Sequence, residues 1–276
     1  MIRRVLVPLD GSEYSKSALQ YAEFMAAPHR ANLTGLVVLD IPGIEKSVGP
    51  TPLGGVYWAE QLEKKKLEAA KARIETLLAA FRSFCDEKGL QCEEEQDQGS
   101  PSERIVEFSL YYDLVVVGQR TFFEFESERH EGKLVYKVMD HGITPFLAVP
   151  EKFFPVKRVL LAYDGSLAAA RTLQRISHLA GNGDFEFTLL TSHDKKEAAD
   201  FLLNRAEEYL RAYGCKVTMK QWTDKHIIDA VREDFWENTD LFAVGAHSRK
   251  NLKDFFVGSL TKFLIERGEK PVFVGL

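Results

Sequence analysis

The sequence is poor in cysteine: Cys85, Cys92 and Cys215 are the only three in 276 residues, and none belongs to a CxxC pair. An odd, scattered set argues against a disulfide framework and predicts reduced thiols in a cytoplasmic protein. Long hydrophobic runs are missing too. No stretch approaches the 18 or so apolar residues of a membrane span, and the opening MIRRVLVPLD is too short for a signal-peptide core. Nor is there an excess of positive charge. Lys and Arg number 36 against 41 Asp and Glu, a net charge of -5, which is the wrong sign for sequence-independent nucleic-acid binding. The longest basic run, Lys64-Lys65-Lys66 after Glu63, reads as a solvated helix face. The seven histidines form no HxxxH or HExxH, and no GxSxG elbow or GxxxxGK loop occurs. No catalytic residue and no metal-ligand set is therefore predicted, and neither nucleic acid nor a membrane is expected as a partner.

What is present is a repeat. KRVLLAYDGS (157–166) restates RRVLVPLDGS (3–12) at an offset of 154 residues. DLFAVG (240–245) restates DLVVVG (113–118) at an offset of 127, and KPVFVGL (270–276) restates TPFLAVP (144–150) at 126. Three matches in the same order imply two copies of one domain, at 1–150 and 156–276, with the seam at PEKFFPV (150–156). The shrinking offset makes the first copy longer by 27 residues. IPGIEKSVGPTPLGGVYW (41–58), dense in Gly and Pro, accounts for the surplus and predicts a long loop, either a flap over a site or a tolerated surface insertion.

Short apolar runs at 4–9, 33–40 and 113–118, and again at 158–163, 185–191 and 240–245, predict strands. Helical periods separate them, through Leu67, Ala70, Ile74, Leu77, Leu78 and Phe81 in the first copy and Leu202, Ala206, Tyr209, Leu210 and Tyr213 in the second. Pro101 behind Ser100 predicts the start of another helix. Ser12 and Ser166 read as helix caps. Continuously apolar strands alternating with helices predict an α/β fold with a parallel sheet covered on both faces. Ligands of such sheets lie beyond the carboxyl ends of the strands.

One segment, VGAHSRKNLKDFFVGS (244–259), suits an anion. Gly245 ends a predicted strand and Gly258-Ser259 opens a helix. A glycine lets backbone approach closely, and a helix N-terminus offers unpaired N–H groups and positive dipole. Ser259 and Thr261 add hydroxyls at that end. GNGDFE (181–186) is no such site, because it lies between a helix and a strand.

The spacing Gly245, Ser248, Gly258-Ser259 resembles the G-x2-G-x9-G-[S/T] motif of the universal stress protein family, and the segment from Val244 to Leu276 is similar to that family's carboxyl-terminal third. The strand end YDGS, with Asp164, resembles the family as well. The resemblance covers both copies and implies a tandem universal stress protein. The fold implied is α/β, with two tandem open parallel five-stranded sheets and helices on both faces, Rossmann-like and akin to the adenine nucleotide alpha hydrolases. It also implies ATP or a related adenine nucleotide, with Mg2+ a possible companion, in the second copy near Ala162, Asp164, Gly245, His247, Ser248, Arg249, Gly258, Ser259, Leu260 and Thr261. Serine at 248 replaces the family's second glycine, and Arg249 is either a phosphate partner or a solvated loop cation. In the first copy the matching positions hold Thr121, Glu131 and Gly132, and the loop between carries Glu124, Glu126 and Glu128. Carboxylates there repel phosphate, so this copy is expected to have lost its site, and Asp10 reads as a cap for the turn that follows.

Pairing of TPFLAVP with KPVFVGL is expected, because each would otherwise be an exposed apolar edge and because family members pair through the fifth strand. That makes an internal pseudo-dimer, with a homodimer or an unknown protein partner also open. The function implied is a cytoplasmic stress-response sensor or regulator, with slow ATP hydrolysis conceivable. The alternatives are a nucleotide-free scaffold with both sites vestigial and, from a third class, a small-molecule hydrolase or transferase.

Overall fold

The repeated apolar runs become the centre of a single sheet. The computed structural model describes residues 2–50, 55–121, 123, 133–181, 183–246 and 258–276. Its first half contains β1 (Arg4–Pro8), α1 (Glu13–Ala26), β2 (Asn32–Leu39), α2 (Ile41–Val48), α3 (Val56–Lys88), β3 (Cys92–Gln98), α4 (Pro101–Ser109), β4 (Leu114–Gly118), α5 (Lys133–His141) and β5 (Phe146–Val149). Its second contains β6 (Arg158–Ala162), α6 (Leu167–Ala180), β7 (Glu186–Ser192), α7 (Lys196–Ala212), β8 (Lys216–Thr223), α8 (Ile227–Ala230), β9 (Leu241–Gly245), α9 (Ser259–Arg267) and β10 (Val272–Gly275).

Strand order is β3-β2-β1-β4-β5-β10-β9-β6-β7-β8. Each half is parallel within itself and repeats the same order outward from the middle. The halves join where β5 and β10 pair antiparallel, Leu147 opposite Phe273, as expected of those two apolar edges. The outcome is one ten-stranded sheet made of two tandem domains. Its apolar layers lie on both faces: one cluster holds Val5, Tyr21, Leu78, Phe187 and Phe273, the other Leu6, Ile105, Val138, Phe242 and Leu264. The joint is reinforced by polar contacts. His29 Nε2 donates to the Leu179 carbonyl at 2.7 Å, and the buried Gln119 donates through Nε2 to the Lys270 carbonyl at 2.7 Å.

The repeated Asp of DLVVVG and DLFAVG has the same task in each half. Asp113 Oδ2 accepts from the amides of Arg3 and Arg4 at 2.7 and 3.0 Å, and Asp240 Oδ2 from those of Lys157 and Arg158 at 3.1 and 2.8 Å. Each carboxylate thus anchors the entrance of the neighbouring strand. Burial would raise the pKa of Asp240, but the Arg158 guanidinium, 2.6 Å from Oδ1, and the two amides outweigh it and hold the carboxyl below its ordinary value. A lowered folded pKa means that this stabilisation is complete above the unfolded pKa, near 4, and is lost as pH falls through the folded value. Asp240→Ala should therefore cost about 1–3 kcal/mol at pH 7. Urea titrations at pH 7 and pH 3 check this: the gap between variant and parent should narrow in acid, and an unchanged gap refutes the assignment.

Three details depart from expectation. Cys85 and Cys92 form a disulfide, with Cα atoms 6.3 Å apart, instead of remaining reduced. Gly89, at φ 62°, ends α3 in the left-handed region and turns the chain straight back into β3, which brings the two thiols together. Cys215 is free, and burial pushes its thiol up to about 11. The Gly- and Pro-rich insertion is mostly helical and not one long loop. Asp40 caps α2 by accepting from the Gly43 amide at 3.0 Å, Pro42 sits in the first turn, and α3 starts at Val56, so that only 51–54 lie outside the described residues. Finally, β3 and β8 escape the apolar-run criterion because each is an outer edge strand, CEEEQDQ and KVTMKQWT, with one polar flank.

Candidate functional site

Both halves open with the same turn. In the first, Gly11 at φ 79° lets the chain double back after β1. Asp10 Oδ1 accepts from the Ser12 amide at 2.9 Å and its hydroxyl at 2.7 Å, while Ser12 Oγ accepts from the Ser15 amide at 3.2 Å and caps α1. In the second, Gly165 lies at φ 72°, Asp164 Oδ1 accepts from the Ser166 amide at 2.9 Å, and Ser166 Oγ caps α6 through the Ala169 amide at 3.2 Å. The two aspartates differ in surroundings: Asp10 is buried and Asp164 is exposed.

The first-half pocket is closed by the chain's own side chains. Arg73, reaching across from α3, donates through Nη2 to the Asp10 carbonyl at 2.8 Å. Ala70, Ile74 and Leu77 from the same helix and Phe123 complete a cavity of about 40 Å3 over Val37–Asp40. Small-molecule sites occupy roughly 300–1,000 Å3, so this cavity is too small for a nucleotide; a wider groove of about 480 Å3 adjoins it at Leu39 and Ile74, between α3 and the end of β3. Sequence reasoning missed Arg73 and Phe123, since a helical position and a loop position announce no shared target; it looked instead to Glu124, Glu126, Glu128, Glu131 and Gly132, which lie outside the described residues. Thr121 is buried behind the end of β4, and its amide donates to the Gly118 carbonyl at 3.2 Å.

In the second half β6 and β9 are neighbours, Leu161 opposite Ala243, so Ala162 ends one residue short of the level of Gly245. A Cβ on Gly245 would lie 2.9 Å from the Ala168 carbonyl carbon and 3.0 Å from the Ala169 nitrogen. Glycine at this strand end admits the first turn of α6, a role for backbone approach distinct from contact with a ligand. The α9 N-terminus returns to the same point: the Gly258 amide donates to the Ala246 carbonyl at 2.9 Å, and Thr261 Oγ1 donates to the Gly245 carbonyl at 2.7 Å. Thr261 and Leu260 are buried, so the Thr261 hydroxyl fixes the helix to the strand, whereas Ser259 is exposed at the first helical position. Gly258 is the N-cap, and no side chain caps α9 among the described residues. His247, Ser248 and Arg249 lie outside the described residues.

Lys195 and Lys196 are exposed at the start of α7, which follows β7, and their side chains make no hydrogen bond or ion pair among the described residues, while the Lys195 amide donates to His193 Nδ1 at 3.0 Å. The loop that carries them is tied down by Trp222, whose Nε1 donates to the His193 carbonyl at 2.7 Å. The second half thus has the N-terminus of α9, with Gly258 as its N-cap, at the ends of β6 and β9, and two exposed lysines at the start of α7. Such a set can hold an anion. No cluster of three or more His, Cys, Asp or Glu suited to a metal ion occurs among the described residues. Thr261→Val should leave the Gly245 carbonyl without its partner and cost about 1–3 kcal/mol. Thermal unfolding measures this, and an unchanged midpoint would dismiss Thr261 as the tie.

Comparison with known proteins agrees with this architecture. Residues 1–130 match the model of the universal stress protein family. The universal stress protein Slr1230 of Synechocystis is 24% identical over 287 residues, spanning 98% of this chain and 99% of its own. A universal stress protein of Archaeoglobus fulgidus superposes with a TM-score of 0.64 at 22% identity, over 98% of this chain and 97% of that one. A functionally unknown protein of Pseudomonas aeruginosa follows at 0.58 and 16%, over 99% and 92%. Residues 1–130 thus resemble a universal stress protein domain, and the chain shares its fold along nearly its whole length with a universal stress protein of known structure.

Proposed function

We propose that the chain binds ATP or a related adenine nucleotide in its second domain, at the carboxyl ends of β6 and β9, and serves as a stress-response sensor or regulator. One observation carries the reading: α9 presents an N-terminus with no side-chain cap, held by Thr261 at the strand end where this fold class receives its ligands. Phosphates would lie on Gly258-Ser259 and the adenosine near Ala162 and Asp164, with His247, Ser248 and Arg249 contributing from the intervening loop. The domain limits proposed are 1–150 and 156–276, and the compartment proposed is the cytoplasm; among the described residues no helix is long and apolar enough to cross a membrane.

Calorimetric titration of the full chain with ATP and Mg2+ tests the reading. It should find one nucleotide per chain, because Arg73 and Phe123 narrow the space at Asp10 in the first half to about 40 Å3. Two equivalent sites would contradict the asymmetry. A folded chain that binds no adenine nucleotide at about 1 mM would favour the second reading, a nucleotide-free scaffold, for which the filled first-half cavity already speaks.

A further inference from the structure

The antiparallel joint of β5 and β10 relates the halves by an approximate two-fold axis, so each groove beside the seam has a counterpart. The repeat offset of 154 residues takes Tyr21 to Arg175, Phe24 to His178 and Met25 to Leu179. One of these grooves is filled. The segment joining the halves lays Phe153 4.8 Å from the Tyr21 ring and 6.0 Å from Phe24, with Phe154 6.1 Å from Tyr21. The Phe154 amide also donates to Tyr21 Oη at 3.3 Å. The counterpart groove is a cavity of about 220 Å3, walled by Arg175, His178 and Leu179 of α6, Ile2 and Pro145 of the first half, and Phe273 of β10.

The two grooves lie on equivalent faces of α1 and α6 and differ in charge. Where the filled groove has two aromatic rings, the open one has two basic side chains a helical turn apart. Arg175 makes no hydrogen bond or ion pair among the described residues. Burial, followed by nearby positive charge that includes Arg175, holds His178 below the ordinary histidine range, which leaves Arg175 as the fixed cation. The carboxylate of Asp113, also in the wall, is engaged by the Arg3 and Arg4 amides. The mouth is apolar, with Leu110 and Ile143 exposed at 49% and 63%.

We propose that this cavity is a second ligand site, for a small aromatic carboxylate whose ring lies where the counterpart holds Phe153 and whose carboxylate meets the Arg175 guanidinium. In the filled groove the equivalent helix face, at Tyr21 and Phe24, packs against an aromatic ring. The substitution of Tyr21 and Phe24 by Arg175 and His178 supplies the charge that an acid requires. This site is separate from the α9 cleft and does not depend on nucleotide binding there. Its ligand would touch both halves, so occupancy would also tighten the joint between them.

Calorimetry on the full chain with phenylacetate as the probe tests the proposal. Binding is expected with a Kd on the order of 1 mM or tighter, with the neutral isostere phenylacetamide at least about tenfold weaker. Arg175→Gln, at an exposed position, should fold normally and lose about tenfold. The double variant Arg175→Tyr, His178→Phe copies the filled groove's own residues and should abolish binding while keeping the melting temperature. No binding at about 10 mM, equal binding of the amide, or an unaffected Arg175→Gln would each overturn the proposal. Inorganic phosphate binding as well as phenylacetate would do so too, by reducing the site to a bare cation. So would displacement of phenylacetate by ATP, since the two sites would then be one.

Discussion

Phe273→Ala is expected to lower the free energy of unfolding by about 3–5 kcal/mol. Phe273 is 1% exposed in the middle of β10, opposite Leu147 across the joint and beside Ala243 of β9. Removing its ring deletes apolar contact with both halves at once, and it enlarges a space already bordered by the cavity at Arg175. Relaxation is limited, because the strands on either side are hydrogen-bonded at fixed spacing. A domain's whole stability is only about 5–15 kcal/mol, so the loss should bring the chain close to unfolding at physiological temperature. Guanidinium denaturation measures it, with Tyr111→Ala as the control. Tyr111 is 73% exposed and should cost no more than about 0.5 kcal/mol. A loss below about 1 kcal/mol for Phe273→Ala would mean that β10 is not packed between the halves as described.

Gly258→Asp is expected to weaken ATP binding at least a hundredfold, or about 2.7 kcal/mol, while the helix behind it gains. Gly258 has φ -55° and ψ 141°, a conformation open to any residue, so aspartate needs no backbone strain. Aspartate is also a good N-cap, and its carboxylate can accept from the first-turn amides of α9 for roughly 0.5–1 kcal/mol over glycine. Those amides are the ones offered to phosphate, and a carboxylate among them repels a triphosphate as well as displacing it. The variant therefore separates fold from ligand: its melting temperature should hold or rise as nucleotide binding disappears. Gly132→Asp in the first half should leave binding intact. Retained affinity in Gly258→Asp would remove the phosphate from the α9 N-terminus.

The parts of this architecture that were readable in the sequence are those fixed by short-range rules. Ser12 and Ser166 cap their helices, Pro101 opens α4, and the apolar runs form the central strands, since each depends on a few neighbouring residues. The fifth-strand pairing was legible because two apolar edges needed cover. Long-range convergence was not. Arg73 lies 63 residues beyond the carbonyl it binds, and nothing in a helical period of leucines marks one arginine as the plug of a distant turn. The Cys85–Cys92 bond was hidden for a related reason: the pairing depends on the left-handed turn at Gly89, while cysteine number alone suggested free thiols. Gly245 was recognised as a strand-end glycine, but the contact that forbids its Cβ comes from α6.

The joint of β5 and β10 also sets a timetable for the growing chain. β5 is made in the middle of synthesis, and its only partner on that side belongs to the final strand. At translation rates of about 5–20 residues per second, the apolar edge FLAV waits on the order of ten seconds for VFVG to emerge. During that interval a neighbouring nascent chain offers the same edge, and pairing between two copies of β5 would satisfy the same hydrogen bonds. Fidelity of assembly therefore depends on the second half arriving sooner than another ribosome's product, which makes expression rate a determinant of whether this sheet closes within one molecule or between two.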